Sequence, residues 1–150
     1  MGPETQPDDV HRSYYEQVAW LQLEYVLESQ SILHHMSSIS TLCGKDLGYV
    51  VEVKVLKGRF GKADVYVPSI DLIIQVDGEH HNMPHQLSVD ARFNAEGVSQ
   101  SRRVLRLYYK DVSSFRSAIH NAVHSCITDP TAAWAVCSSQ HPAKNMMMPS

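Results

Sequence analysis

Two acidic residues and a group of histidines in the middle of the chain have the types and spacing that metal-assisted hydrolysis can use. Asp64 lies near the start of the segment ADVYV, and Asp77 closes the apolar segment LIIQVD, just before the run G-E-H-H. If both segments are neighbouring strands, their ends lie only about 4.8 Å apart and the two carboxylates can converge. Carboxylates held that close repel unless a cation sits between them or one is protonated. Mg²⁺, with Mn²⁺ as a substitute, suits such a site, because it takes oxygen ligands and keeps waters that can act as nucleophiles. Gly78 lets the backbone turn sharply. His80, His81 and His85 can then supply a general acid or base near neutral pH.

Taken singly, each feature has a plainer reading. A strand-end Asp is commonly a turn residue, and a loop histidine is commonly surface decoration. Together they are harder to explain by structure alone. Ending a buried strand on an acid beside a histidine cluster costs stability unless those groups have a use.

The elements that must position these residues follow from the hydrophobic pattern. A helix is expected from about Asp9 to Met36, through Tyr14, Val18, Leu21, Tyr25 and Ile32, with Ser13 and Glu16 placed for a capping box. The polar stretch SSISTLCGKDLG interrupts it. Tyr49–Leu56 is strongly β, with Val51, Val53 and Val55 on one face. A turn containing Gly58 and Gly61 leads to a strand at Ala63–Val67, and Pro68-Ser69 turns into Leu72–Asp77. That run is the most apolar in the chain and should be a central strand covered on both faces. A helix from Ser88 to about Ala95, able to continue past Gly97, precedes a strand at Arg103–Tyr109. Asp111 is then expected to cap a helix from Val112 to Ile127. This order predicts an α/β domain with a mixed sheet flanked by helices. The domain spans residues 9–127, between flexible tails at 1–8 and 128–150.

Composition fits one soluble domain: 150 residues, 43% hydrophobic and 19% charged. No apolar run is long enough to cross a bilayer, and the N-terminus lacks the basic and apolar regions of a signal peptide, so the chain reads as intracellular. Cys43, Cys126 and Cys137 fit neither a disulfide framework nor a zinc knuckle. The net charge of −3 argues against indiscriminate coating of nucleic acid. Residues 1–44 carry about −5 and residues 45–116 about +2, so the positive charge falls in the segment of the candidate site. Lys54, Lys57, Arg59 and Lys62 surround the first turn, where they can hold a phosphate backbone or simply solvate a hairpin. His120 and His124 are four apart on the last helix, a spacing that can bind zinc. With no Cys or carboxylate placed beside them, they read as surface residues near a helix C-terminus.

The run A-D-V-Y-V-P…L-I-I-Q-V-D-G-E-H-H…D-A-R…V-L-R-L-Y-Y-K-D-V resembles the Vsr-like branch of the PD-(D/E)XK nuclease superfamily, which includes the very-short-patch-repair endonucleases. It is also similar to RAP domains, RNA-binding modules expected in organelle proteins, which share V-D-G-x-x-H. The resemblance covers residues 61–112 and extends loosely to Glu16 and Trp20 in the first helix. It implies a restriction-endonuclease-like αβββαβα core and a Mg²⁺-dependent endonuclease, acting on DNA in preference to RNA. Asp64 and Asp77 would hold the metal, with Glu16 reaching it from the first helix and Glu24 and Glu28 as rivals in another register. His81, with His80, would move the proton. Asp90, Arg92 and Arg106 match a D…R…R pattern that suits a structural ion pair or phosphate contacts.

One departure matters. The superfamily usually has an acid where Gln75 stands, and its lysine would fall at Asp77. Gln75 can lend a carbonyl oxygen to a metal but brings no charge. The alternative implied is a nucleic-acid-binding, RAP-like module without catalysis.

Overall fold

The computed structural model describes residues 7–30, 49–57, 62–79 and 83–143. Helix α1 spans Pro7–Ser29, with the proline in its first turn, where a missing N–H costs nothing. It starts well before Ser13, so the expected capping box is not the helix start. Residues 31–48, which include the expected helix end at Met36, lie outside the described residues.

Strands β1 (Val50–Lys54), β2 (Lys62–Val67) and β3 (Leu72–Asp77) form an antiparallel meander. Helix α2 (Pro84–Ser99) crosses over to β4 (Arg103–Tyr108), which runs parallel to β3. After a 3-10 segment, Tyr109–Ser114, helix α3 (Phe115–Thr128) crosses back to β5 (Trp134–Cys137), parallel to β4. The sheet is mixed, five-stranded and ordered β1-β2-β3-β4-β5. The α/β class and flanked mixed sheet expected from the sequence are present.

Every residue of β3 and β4 is buried, as a central position requires. One sheet face packs Leu72, Ile74, Val76, Leu105 and Leu107 against Leu23, Val26 and Leu27 of α1 and Phe115, Ile119 and Val123 of α3. The other packs Ile73 and Val104 against Phe93 of α2. Each such side chain contributes about 1.5–3 kcal/mol on burial. Gly97 lets α2 approach β4 closely, since a Cβ there would lie 2.7 Å from Val104 Cγ2.

Two expectations need correction. The segment beyond residue 128 is not simply a tail. Arg103 donates to the carbonyls of Pro130 and Ala132 at 2.8 Å each and to Ile70 O at 2.6 Å, fixing the connection into β5. The strand escapes a pattern search because it has four residues and only partial burial. Residues 144–150 lie outside the described residues. Asp111 is not the cap of α3. It is buried within the 3-10 segment and accepts hydrogen bonds from Ser139 Oγ at 3.0 Å and Gln140 N at 2.9 Å. Burial raises its pKa, but these bonds and one from Ser138 outweigh burial and bring it below the usual carboxylate value.

Candidate functional site

The β2–β3 ladder runs from Val67↔Leu72 to Val65↔Ile74. One residue further, side chains take over from backbone pairing. Asp64 N donates to Gln75 Oε1 at 2.7 Å, and Val76 N donates to Asp64 Oδ2 at 2.8 Å. Gln75 Nε2 reaches Lys62 O at 3.4 Å. Asp64 and Gln75 are thus brought together where the two strands part, Asp64 half-buried and Gln75 buried.

Asp77 stands two residues past Gln75, under α2, and belongs to a different constellation. Its Oδ2 accepts from Arg106 Nη1 at 2.7 Å and from His141 Nε2 at 2.6 Å. Arg106 also donates through Nε to Asn94 Oδ1 at 2.8 Å and approaches Asp90 Oδ1 at 3.4 Å. Its guanidinium carbon lies 5.2 Å from the centre of the Phe93 ring. Gln86 Nε2 donates to Asp90 Oδ1 at 2.9 Å. Asp77, Asp90, Arg106 and His141 are each under 5% exposed, so water and substrate do not reach them. Burial opposes the charge on Arg106, but the carboxylates of Asp77 and Asp90 overcome it and hold its pKa above the ordinary value.

The roles of the two His141 nitrogens follow from geometry. Ala143 N donates to His141 Nδ1 at 3.0 Å, so Nδ1 is an acceptor. Nε2 therefore carries the proton given to Asp77. The ring also lies against Tyr108, with centroids 5.3 Å apart.

Asp77, Asp90 and His141 offer ligand atoms all within 4.8 Å of one another, a buried group that can hold a metal ion. Arg106 already places its positive charge between the two carboxylates, which serves the same electrostatic purpose as a cation.

The other expected site residues are dispersed. Neither Asp64 nor Glu16 belongs to the metal-capable group among the described residues. Glu16 lies half-buried on α1, and its rival Glu24 accepts from Tyr49 Oη at 2.6 Å. His80, His81 and Arg59 lie outside the described residues, and His85 is exposed in the first turn of α2. Lys54 and Lys62 are exposed Cα partners across β1 and β2. Lys57 is exposed, and its backbone is bonded on both sides by the Gln100 amide. Arg106, expected among the phosphate contacts, cannot be one, because it is 2% exposed and committed to internal acids. Its pairing with Asp90 is the structural ion pair that the D…R…R pattern allowed.

His141 and Asn94 were missed. Asn94 falls within the D…R…R stretch but has no distinguishing spacing, and His141 sits in a segment read as a tail. Only the return of the chain after β5 brings it beside Asp77.

Comparison with protein-family models, curated proteins and solved structures gives no match, so the class of this chain rests on its own residues and fold. Among the described residues, no helix is long and apolar enough to cross a membrane.

Proposed function

We propose that this chain is a nucleic-acid-binding module on a nuclease-like α/β core, of the PD-(D/E)XK kind its sequence resembles, with DNA the expected ligand before RNA. The observation that carries this reading is the fate of Asp77. Its carboxylate is buried and bound by Arg106 and His141, so it does not join Asp64 in a two-carboxylate metal centre. Where β2 and β3 part, Asp64 instead stands beside the uncharged Gln75. Lys54 and Lys62, exposed and directly opposite each other, supply positive charge on the β1–β2 hairpin. Two lysines side by side on an exposed hairpin can both contact one phosphate backbone.

A second reading is a Mg²⁺-dependent endonuclease acting on DNA, and the Asp64–Gln75 contact favours it. Mg²⁺ can be held by one carboxylate together with substrate phosphates and waters. Asp64 and the Gln75 carbonyl would then hold the ion, which would supply an activated water for attack on phosphorus with departure of a sugar oxygen, and His81 or His80 would move the proton.

One experiment separates the readings. The protein is incubated with supercoiled plasmid and labelled single strands in Mg²⁺, Mn²⁺ or EDTA, beside Asp64→Ala, and binding is titrated against salt. Binding that survives EDTA, weakens with salt and falls in Lys54→Ala/Lys62→Ala, without cutting, is the expected result. Metal-dependent cutting lost in Asp64→Ala would establish the endonuclease instead. Absence of both binding and cutting rejects the two readings together.

A further inference from the structure

Away from this site, the ends of two packed helices bring together three side chains that suit a transition-metal dication. His120 and His124 lie one turn apart on α3, both exposed, with rings nearly parallel at 4° and centroids 6.4 Å apart. Gln30, the residue after the end of α1, places its amide nitrogen 3.3 Å from His120 Nε2. The sequence separates Gln30 from His120 by 90 positions, so only the packing of α1 on α3 supplies the third group.

We propose that His120, His124 and Gln30 form a surface site for a zinc-class divalent ion. Imidazoles at i and i+4 on a helix face the same side and can share one ion. Rotation about the last side-chain bond of Gln30 turns its oxygen, in place of its nitrogen, toward the ion. Two imidazole nitrogens, one amide oxygen and one water complete a tetrahedron. Ligand nitrogens about 2.0–2.1 Å from zinc require the two rings to swing toward each other from their present stacking. Exposed side chains make such turns in picoseconds to nanoseconds.

The local field favours the dication. Helix α1 ends beside His120, and α3 ends one turn after His124, so carbonyl-rich ends lie at or near the site. Neither helix has a basic residue in its last turn to offset that charge. Arg116, one turn before His120, is turned toward α1, where it stacks over Tyr25 and donates to Gln22. The donor set of nitrogen and amide oxygen, without carboxylate, selects zinc, copper or nickel over magnesium or calcium.

The test is calorimetric titration of the full chain with zinc chloride, with magnesium chloride as control, and thermal unfolding in each salt. Zinc is expected to bind and raise the Tm, whereas magnesium does not. His120→Ala and His124→Ala should each weaken that site at least about tenfold, and the double variant should lose one zinc equivalent. Gln30→Ala should weaken zinc binding without altering the fold. The inference is overturned if zinc leaves the wild-type Tm unchanged. It is equally overturned if the double variant keeps the wild-type zinc stoichiometry and affinity, which would assign the binding to other histidines. Unchanged affinity in Gln30→Ala also overturns the three-ligand site. His120 and His124 are exposed helical positions that tolerate alanine, so loss of folding does not obscure the result for those variants.

Discussion

Asp77 and Arg106 stand on adjacent parallel strands, two residues out of register, and their side chains meet at 2.7 Å with neither more than 2% exposed. An acid that the sequence places at a strand end, as a metal ligand would be, is therefore spent on an internal cation. Two charges taken this far from water cost more to desolvate than a surface pair, and only a saturated set of hydrogen bonds makes them tolerable. His141, Asn94 and Asp90 complete that set.

Asp77→Ala should therefore cost about 3–5 kcal/mol of folding stability, because it leaves the Arg106 guanidinium buried without its best partner. Urea unfolding at neutral pH measures this. The loss should fall short of additive when Arg106→Met is combined with it, since both substitutions remove the same interaction. A loss under about 1 kcal/mol, typical of exposed ion pairs, would show that the pair is solvated.

Gly97→Ala tests the closeness of α2 to β4. The added methyl meets the stiff, fully buried Val104 at 2.7 Å. Overpacking costs about 1–3 kcal/mol. Alanine's better helix propensity returns only about 1 kcal/mol. A net fall in Tm is expected, and the clash penalty should vanish in a Val104→Ala background. A rise in Tm for the single variant would contradict the geometry.

Asp111 predicts a pH dependence with a definite sign. Its folded pKa is below the ordinary 3.8, because hydrogen bonds to its carboxylate outweigh burial. The stability it adds is fully present above pH 3.8 and is lost as pH falls further, through the lower folded value. Asp111→Asn should lose about 1.5–3 kcal/mol at pH 7, as charge-assisted bonds to Ser139 and Gln140 weaken. The gap between variant and wild type should close in more acidic solution. A gap that widens on acidification would reverse the assignment.

His141 should exist as the tautomer protonated at Nε2, since the Ala143 amide points at Nδ1. Long-range proton–nitrogen correlation spectra distinguish the two ring nitrogens directly. A signal pattern with the proton on Nδ1 would place two donors against each other and is incompatible with this geometry.

Much of the fold was legible in the chain. LIIQVD is apolar at every position but two, which suits only a strand covered on both faces, and it forms β3 with the expected bounds. The crossover through α2 to β4 followed from the same pattern of periods. Helix ends were less legible: α1 begins at Pro7, before Ser13, and the Asp111 carboxylate is taken by Ser139 and Gln140 instead of capping α3. β5 was missed, since WAVC is an apolar run of only four residues with no alternation to mark a strand, and its place depends on Arg103 gripping carbonyls before it.

The sequence by itself determined which residues can do chemistry: Asp64, Gln75 and Asp77 on paired strands, with histidines after them. It also set the alternation that buries β3 and β4, because side-chain direction along a strand is a local property. Only the tertiary structure decided how those groups are used. It set Asp64 against Gln75, gave Asp77 to Arg106 and His141, and brought Gln30 to His120 across 90 positions. The reason is physical: a carboxylate's role depends on which charges and donors surround it, and distant segments supply those only after the chain has packed.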